Sequence, residues 1–341
     1  MISERRHAIL GLIIEHYLRT GEPIGSKTLC QLLPYSISSA TIRNEMAYLT
    51  QLGFLEQRHT SGGRVPSKAS YRYYVDNIMQ EKPISKYETD KINEALSVNS
   101  GDPERLLADA CKLLEEYSHC AAFCATLEDP YDCIQGVDLI PAGNQKAMLV
   151  MLTVGKIKSS LINMPCALDE DFRKKFYEVS AKFLTGTPLT NVNLALIQSA
   201  VGVAGERIFD MLPALSSLCA LCNEASHSKL TLEGETNLLS HSELGSDLYK
   251  ILGLLTEKKQ LMELSKSFAN SNSKQLLLIG DENPIYEMKN TSTVIAKYNY
   301  EGGQKAVLGV IGSMRIDYES ILPRINYIIN TVDTLLSKKG A

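Results

Sequence analysis

Residues Tyr35–Pro66 read YSISSATIRNEMAYLTQLGFLEQRHTSGGRVP, and this stretch decides how the chain is interpreted. It predicts a helix over about residues 40–51, with Ser38 or Ser39 as the N-terminal cap. A short strand at Phe54–Gln57 follows, and a basic segment with two glycines then predicts a hairpin. A helix followed by a two-stranded wing is the outline of a winged helix-turn-helix domain, which places one helix in the major groove of DNA.

Two further helices are predicted before this stretch and one after it. The first extends from Ser3 to Gly21, with apolar residues at helical spacing. The second, Lys27–Leu33, stops at a proline, and the last begins after Ser67. The side chains of the helix at 40–51 that we expect to face inward are Ile42, Met46, Leu49 and Leu52.

Arg43 and Asn44 lie one turn into the helix at 40–51, where a recognition helix presents side chains to base edges. Arginine can bind guanine through two hydrogen bonds, and asparagine can bind adenine in the same way. The start of the helix suits phosphate, because its free N–H groups and its dipole favour anions. The predicted DNA-binding residues are Ser38, Ser39, Thr41, Arg43, Asn44, Arg58, Thr60, Ser61, Gly62, Gly63, Arg64 and Lys68.

The alternative is a small helical domain whose polar face is merely solvated. Helix, turn and wing coincide within one short window, however, and Arg58 and Arg64 flank the wing tip. Gly62 and Gly63 at that tip would allow the backbone to approach a phosphate or the minor groove closely. This coincidence favours DNA binding over the alternative.

The charge distribution agrees with a DNA-binding N-terminal part. The chain has 341 residues and a net charge of -4, with 44% hydrophobic residues. Residues 1–82 carry ten Lys/Arg against seven Asp/Glu, hence +3, and the remainder carries -7. The N-terminal part is therefore the part suited to a polyanion. We expect a cytoplasmic protein with reduced cysteines and no membrane span, because no long apolar run or export signal is recognised.

The remainder of the chain predicts an α+β fold with a helical insertion. Strands are predicted between residues 121 and 164, a helical block follows, and α/β character returns after residue 227. We interpret the strands on both sides of the block as one mixed sheet. The predicted divisions are 1–80 for the winged-helix domain, 81–103 for a linker, 104–165 and 227–341 for two parts of one domain, and 166–226 for the insertion.

The helical block predicts self-association. Its helices carry apolar residues over so wide an arc that two sides must be buried, one of them against a partner. A homodimer would match an inverted-repeat DNA site by its own two-fold symmetry. The apolar residues are Phe172, Phe176, Phe183, Leu194, Ile197, Ile208, Phe209, Leu212, Leu215 and Leu218.

Enzymatic and metal-binding functions have little support. Cys219 and Cys222 have the CxxC spacing, but no second pair of ligands accompanies them, so buried thiols are expected. The glycines between Gly303 and Gly312 lack the Lys-Ser/Thr of a phosphate-binding loop. We therefore expect no catalytic residues, no metal and no obligatory cofactor. An effector-sensing regulator, whose core binds a metabolite, remains the alternative function.

Three separated regions of the chain resemble the HrcA family, the heat-inducible transcription repressors of bacteria. The N-terminal part contains SSATIRNEM, TSGGRVPS and YRYYVD, and the C-terminal part contains EGETNLLS at 233–240 and GVIGSMRIDYESILPRINYI at 309–328. Ser313 in the last motif stands where the family usually has proline. The resemblance covers nearly the whole chain in order.

The resemblance implies a layout and a set of partners. The layout is a winged-helix domain, a GAF-like domain in two parts and an inserted helical dimerisation subdomain. The function it implies is repression of heat-shock chaperone operons through an inverted-repeat operator, with release on heat stress. A GroEL-type chaperonin is the implied partner that keeps the repressor active.

Overall fold

The computed structural model describes residues 3–57, 63–154, 156–299 and 305–337. The architecture is mixed α/β, with antiparallel strand pairs and many helices. The chain divides into two compact units. The first unit comprises the described residues of Met1–Cys124, Leu230–Lys297 and Leu308–Leu335, and the second those of Ala125–Lys229, Tyr298–Val307 and Leu336–Ala341.

The helices and strands are as follows. The helices are α1 Glu4–Thr20, α2 Ser26–Leu32, α3 Ser39–Gln51, α4 Lys68–Asn77, α5 Lys86–Val98, α6 Pro103–Ser118, α7 Glu170–Val179, α8 Leu194–Ala204, α9 Ile208–Ser226, α10 Asp247–Glu257, α11 Lys259–Ala269 and α12 Tyr318–Ser337. The strands are β1 Leu55–Glu56, β2 Val65–Pro66, β3 Ala121–Thr126, β4 Ile134–Gly143, β5 Lys146–Thr153, β6 Ile157–Asn163, β7 Lys229–Glu233, β8 Gln275–Ile279, β9 Thr291–Asn299 and β10 Lys305–Ser313. Within the described residues, no helix is long and apolar enough to cross a membrane.

The N-terminal elements form where local signals predict them. Gly21 ends α1 in the left-handed conformation, at φ 73°, which glycine adopts without strain. Ser38 caps α3 and accepts a hydrogen bond from the N–H of Thr41. These two helix boundaries confirm the sequence predictions. Leu52, expected to face inward, is instead 47% exposed, because it is the C-terminal cap, where the helix has already ended.

The five-stranded sheet has the strand order β7-β3-β10-β9-β8, and β8 pairs antiparallel with β9. Strand β10 is buried along nearly its whole length. Gly309 in this strand allows the ring of Phe123 to pack against it, since a Cβ there would lie 2.5 Å from Phe123 Cζ. The residues Glu301-Gly302-Gly303 between β9 and β10 are typical of a tight hairpin turn, which predicts that these two strands pair. The pairing is confirmed, and the turn itself lies outside the described residues.

Strands β4, β5 and β6 form a separate three-stranded antiparallel sheet in the second unit. The prediction of one mixed sheet is therefore wrong. Consecutive strands joined by short turns pair most readily with one another, and these three form such a meander. Their inward side chains, such as Leu149 and Met151, share a core with Phe172, Phe176 and the buried faces of α8 and α9.

The apolar spacing over residues 247–267 predicts one helix, but this segment forms two, α10 and α11. Lys258 has φ 59°, a left-handed conformation that ends α10, and α11 begins at the next residue. The sequence gives no glycine or proline at this point. Because no helix-breaking residue marks the division, the periodicity of the apolar residues predicts one continuous helix.

Arg315 links the N-terminal helices to the rest of the first unit. Its Nε donates to the carbonyl oxygen of Tyr17 at 3.1 Å, and its Nη2 donates to that of Leu18 at 3.3 Å. A cation at these carbonyls is favourable because they carry the negative end of the α1 dipole. The Nη1 of the same guanidinium lies 3.3 Å from Oε2 of Glu243.

Glu243 receives several donors besides Arg315. Burial raises the pKa of this carboxyl, but hydrogen bonds from His241 and Ser313 and the charge of Arg315 lower that pKa to about 2. The Ser313 hydroxyl donates to Glu243 Oε1 at 2.6 Å. Glu243 is therefore an anion throughout the physiological range.

We expect Glu243→Gln to destabilise the chain, and to do so most strongly at neutral pH. A carboxyl whose pKa is depressed on folding contributes stability above its ordinary pKa of 4.5, and that contribution is lost as pH falls towards about 2. The free energy of urea unfolding should fall by on the order of 2 kcal/mol at pH 7, with the difference shrinking towards pH 3. The exposed Glu257→Gln is the control, and a difference independent of pH would contradict the assignment.

Candidate nucleic-acid interface

The start of α3 is fixed by its own serines. Ser38 Oγ accepts from the N–H of Thr41 at 3.0 Å and lies 2.8 Å from Thr41 Oγ1. Ser39 Oγ lies 2.9 Å from Ser26 Oγ, so this hydroxyl joins α3 to α2. Ser38 is exposed at a helix N-terminus, the end that attracts anions, whereas Ser39 and Thr41 are half-buried.

Arg43 and Asn44 both lie exposed on α3. Neither side chain makes a hydrogen bond or ion pair with another residue that the structure describes. Ile42 and Met46 on the opposite side of the helix are buried. The helix therefore presents a long cationic donor and an amide side by side to solvent, which is the chemistry that reads guanine and adenine edges.

Gly63 and Arg64 hold the strand pair against the turn before α2. The backbone of Arg64 exchanges two hydrogen bonds with Ile24, and a Cβ on Gly63 would lie 2.5 Å from the Ile24 carbonyl oxygen. The required close approach of Gly63 is therefore to Ile24 of the same chain. Arg64 Nε donates to Thr50 Oγ1 at the end of α3, at 3.2 Å, so the arginine lies along the helix.

Lys68, the first residue of α4, already has an anionic partner. Its Nζ lies 2.8 Å from Oδ1 of Asp281, which belongs to a short 3-10 turn at Gly280–Glu282. One turn further along α4, Arg72 forms a two-pronged ion pair with Glu282 and donates to the carbonyl oxygen of Leu277. The sequence thus predicts that Lys68 contacts a DNA phosphate, whereas its ammonium group forms an ion pair with the Asp281 carboxylate.

The predicted residues Arg58, Thr60, Ser61 and Gly62 lie outside the described residues. The remaining predicted residues fall into two groups. Ser38, Ser39, Thr41, Arg43 and Asn44 come together at the start of α3, and Gly63, Arg64 and Lys68 follow along β2 and α4.

Glu45 on α3 was missed by the sequence analysis. Its side chain is 6% exposed and is bound by two arginines of α1, Arg5 and Arg6. The signal was present, since residue 45 shares the inward face of the helix with Ile42 and Leu49. A carboxylate on a buried face requires a cationic partner, and Arg5-Arg6 is the cationic pair at the start of α1.

A cavity of about 420 Å³ in the first unit bears on the effector alternative. It is lined in part by Arg315 and Arg324. Both arginines already have carboxylate partners: Arg324 Nη2 lies 2.6 Å from Glu88 Oε1, and Arg315 lies against Glu243. An acidic metabolite would have to displace these carboxylates, so the cavity does not favour an anionic effector.

The cysteines pack as thiols. Cys222 is fully buried, with its sulfur 3.4 Å from Met151 Sδ, and Cys219 is half-buried. Burial raises the pKa of the Cys222 thiol to about 12, which disfavours the thiolate that metals and redox partners require. Cys120 and Cys124 are also buried. The segment AAFCATL around Cys124 predicts a buried strand, so the packing of both thiols in the core agrees with the sequence.

Comparisons with known proteins give one consistent family. Residues 104–322 match the family described as HrcA protein C terminal domain. The heat-inducible transcription repressor HrcA of Acetivibrio thermocellus is 30% identical over 96% of this chain and 94% of its own length. The protein of the same name from Lachnoclostridium phytofermentans is 31% identical over 99% of this chain and 98% of its own length.

The fold also has a counterpart among solved structures. A crystal structure of a hypothetical protein at 2.2 Å resolution superposes with a TM-score of 0.74, at 21% identity, and covers 99% of both chains. That likeness shows the fold alone. The family match spans most of the chain and the two relatives span nearly all of it, so the chain belongs to the HrcA family of heat-inducible transcription repressors, which are negative regulators of transcription and not enzymes.

Proposed function

We propose that this chain represses heat-shock chaperone operons by binding an inverted-repeat operator as a homodimer, in the cytoplasm. The observation that carries the proposal is the exposed pair Arg43 and Asn44 on the capped helix α3, which is followed by the antiparallel strands β1 and β2. In this proposal α3 enters the major groove and the segment between β1 and β2 is the wing. Phosphate contacts by the remaining predicted residues would fix the register on the duplex.

The order of elements supports a winged helix-turn-helix over residues 1–80. Three helices, two short antiparallel strands and a fourth helix follow one another. We propose a GAF-like domain built around the five-stranded sheet, preceded by a linker at 81–103. Since β4–β6 pair only among themselves within the described residues, we assign these strands to the insertion together with residues 166–226.

Arg43→Ala tests the recognition helix. We expect it to weaken operator binding by about 1–3 kcal/mol and to relax discrimination at one base pair, because a two-pronged contact to a base would be lost. Fluorescence anisotropy on an operator duplex and a scrambled duplex measures both effects. The matched control is Arg105→Ala, an arginine 73% exposed at the start of α6. Equal affinities of the parent and Arg43→Ala for both duplexes would contradict the placement of α3.

The second unit offers a surface for pairing two copies. The outer face of the three-stranded sheet exposes apolar side chains in rows across neighbouring strands, with Met148 opposite Ile140 and Leu161, and Leu152 opposite Ile157. Leu161 is 57% exposed and Ile157 71%. Contiguous exposed apolar residues of this kind mark interaction sites.

The apolar residues of the helical block, which the sequence predicts to mediate self-association, contribute less exposed apolar surface than the sheet does. Phe172, Phe176 and Leu215 are buried in the core of the second unit, whereas Leu194 and Phe209 are each 74% exposed. The second apolar side of the helical block therefore packs largely against its own sheet. We propose that the outer sheet face forms the dimer contact.

Leu161→Asp should convert the dimer to monomer, because a dimer contact would then bury an unpaired carboxylate on each copy. Sedimentation velocity at micromolar concentration measures the oligomeric state, and operator affinity should fall with it. Leu239→Asp is the matched control, since Leu239 is 60% exposed in a 3-10 turn of the first unit. A monomeric parent, or a variant that stays dimeric, would refute this contact.

Heat relief is proposed as a shift from a DNA-competent dimer to an incompetent form, which a GroEL-type chaperonin returns to the active form. About 5.5 kcal/mol moves such a population from 1:99 to 99:1. We expect operator binding to be lost at the temperature at which circular dichroism or sedimentation reports a change. Loss of binding far below any such change would show that the shift is not the mechanism.

A further inference from the structure

A carboxylate with two arginines joins α1 to α3. Glu45 of α3 accepts hydrogen bonds from Arg5 Nη2 and from Arg6 Nε, the latter at 2.6 Å. The Glu45 side chain is 6% exposed, whereas those of Arg5 and Arg6 are 50% and 27% exposed. The carboxylate is therefore inside, and the two guanidinium groups extend from it to the surface.

The cluster has an excess of positive charge. Burial raises the pKa of Glu45, but hydrogen bonds from Arg6 and Arg5 outweigh burial and hold that pKa below its usual value. Glu45 is thus an anion at neutral pH, and one negative charge faces two positive charges. The cluster lies in the first turns of α1, where the helix dipole adds further positive potential.

Arg6 lies beside the face of α3 that carries Asn44. Its guanidinium carbon is 3.8 Å from the centroid of the Tyr48 ring, and Tyr48 is 40% exposed one turn after Asn44. A guanidinium that stacks on an aromatic face keeps its N–H groups in one plane at the ring edge. Arg6 has five N–H donors, of which Glu45 occupies only part.

We propose that Arg5 and Arg6 contact the DNA backbone beside the recognition helix, and that Glu45 is the positioning residue that holds both guanidinium groups there. This inference rests on the proposed function of α3. Phosphate is the ligand that fits, because it accepts from the planar donors of arginine and compensates the excess charge.

A purely structural role accounts for less of the arrangement. One arginine would neutralise Glu45, and a buried ion pair is in itself weak support for stability. With two arginines the cluster keeps a net positive charge, and the half-exposed Arg5 places that charge at the surface. These features suit an anionic partner in solution.

The first test is the salt dependence of binding. Each phosphate contact contributes about 0.9 to the slope of log K against log salt, so Arg5→Ala and Arg6→Ala should each reduce that slope by about 1. The reduction should be the same on operator and scrambled duplexes, because phosphates carry no sequence information. Arg19→Ala is the control, an exposed arginine near the opposite end of α1.

The Arg43→Ala variant separates the two proposals. Parental slopes for Arg5→Ala and Arg6→Ala, together with lost operator discrimination for Arg43→Ala, would overturn this inference and leave the recognition helix in place. If Arg43→Ala also binds both duplexes like the parent, the proposed function itself fails.

Glu45→Gln tests positioning, since it keeps the size of the side chain but removes the charge. We expect the slope of log K against log salt to fall by about 1 on both duplexes, although a negative charge has been removed, because the two guanidinium groups are no longer held towards the DNA backbone. Glu45→Asp should restore part of the slope. Circular dichroism checks that both variants fold. An unchanged slope in folded Glu45→Gln would show that Glu45 positions nothing for DNA.

Discussion

The guanidinium of Arg315 is the group on which the placement of the N-terminal helices depends. It binds carbonyls of the last turn of α1 and the half-buried anion Glu243 at the same time. At the other end of α1, Arg5 and Arg6 bind Glu45 of α3. A change at Arg315 would therefore be transmitted to α3 through α1, because hydrogen bonds from Arg315 hold one end of this helix and ion pairs with Glu45 hold the other.

The contribution of an ion pair to stability depends on how far its charges are shielded from solvent. Glu243 and Glu45 are both largely shielded from solvent, so either carboxylate would become an unpaired charge in a poorly solvated site if its arginine partners were removed. Exposed pairs such as Arg105–Asp102 contribute little by comparison. Glu45 thus joins α1 to α3, and Glu243 with Arg315 joins α1 to the rest of the first unit, in addition to the Arg72–Glu282 pair of α4.

The sequence predicted well what neighbouring residues determine. The cap at Ser38, the end of α1 at Gly21 and the exposure of Arg43 and Asn44 all follow from residues within one or two turns. The separation of β4–β6 into their own sheet was missed, because alternation identifies strands but not their partners. Likewise, the Lys68–Asp281 pair joins residues far apart in sequence, which periodicity cannot bring together.

The Lys68–Asp281 pair determines what a phosphate contact by Lys68 would require. Nζ of Lys68 would have to leave Oδ1 of Asp281, whereas Glu282 in the same turn would keep its ion pair with Arg72. The Asp281 side chain is 64% exposed, so water would solvate its carboxylate and the free energy lost with this pair would be small. A phosphate could therefore replace Asp281 at Lys68 while α4 stays joined to the turn at Gly280–Glu282 through Arg72.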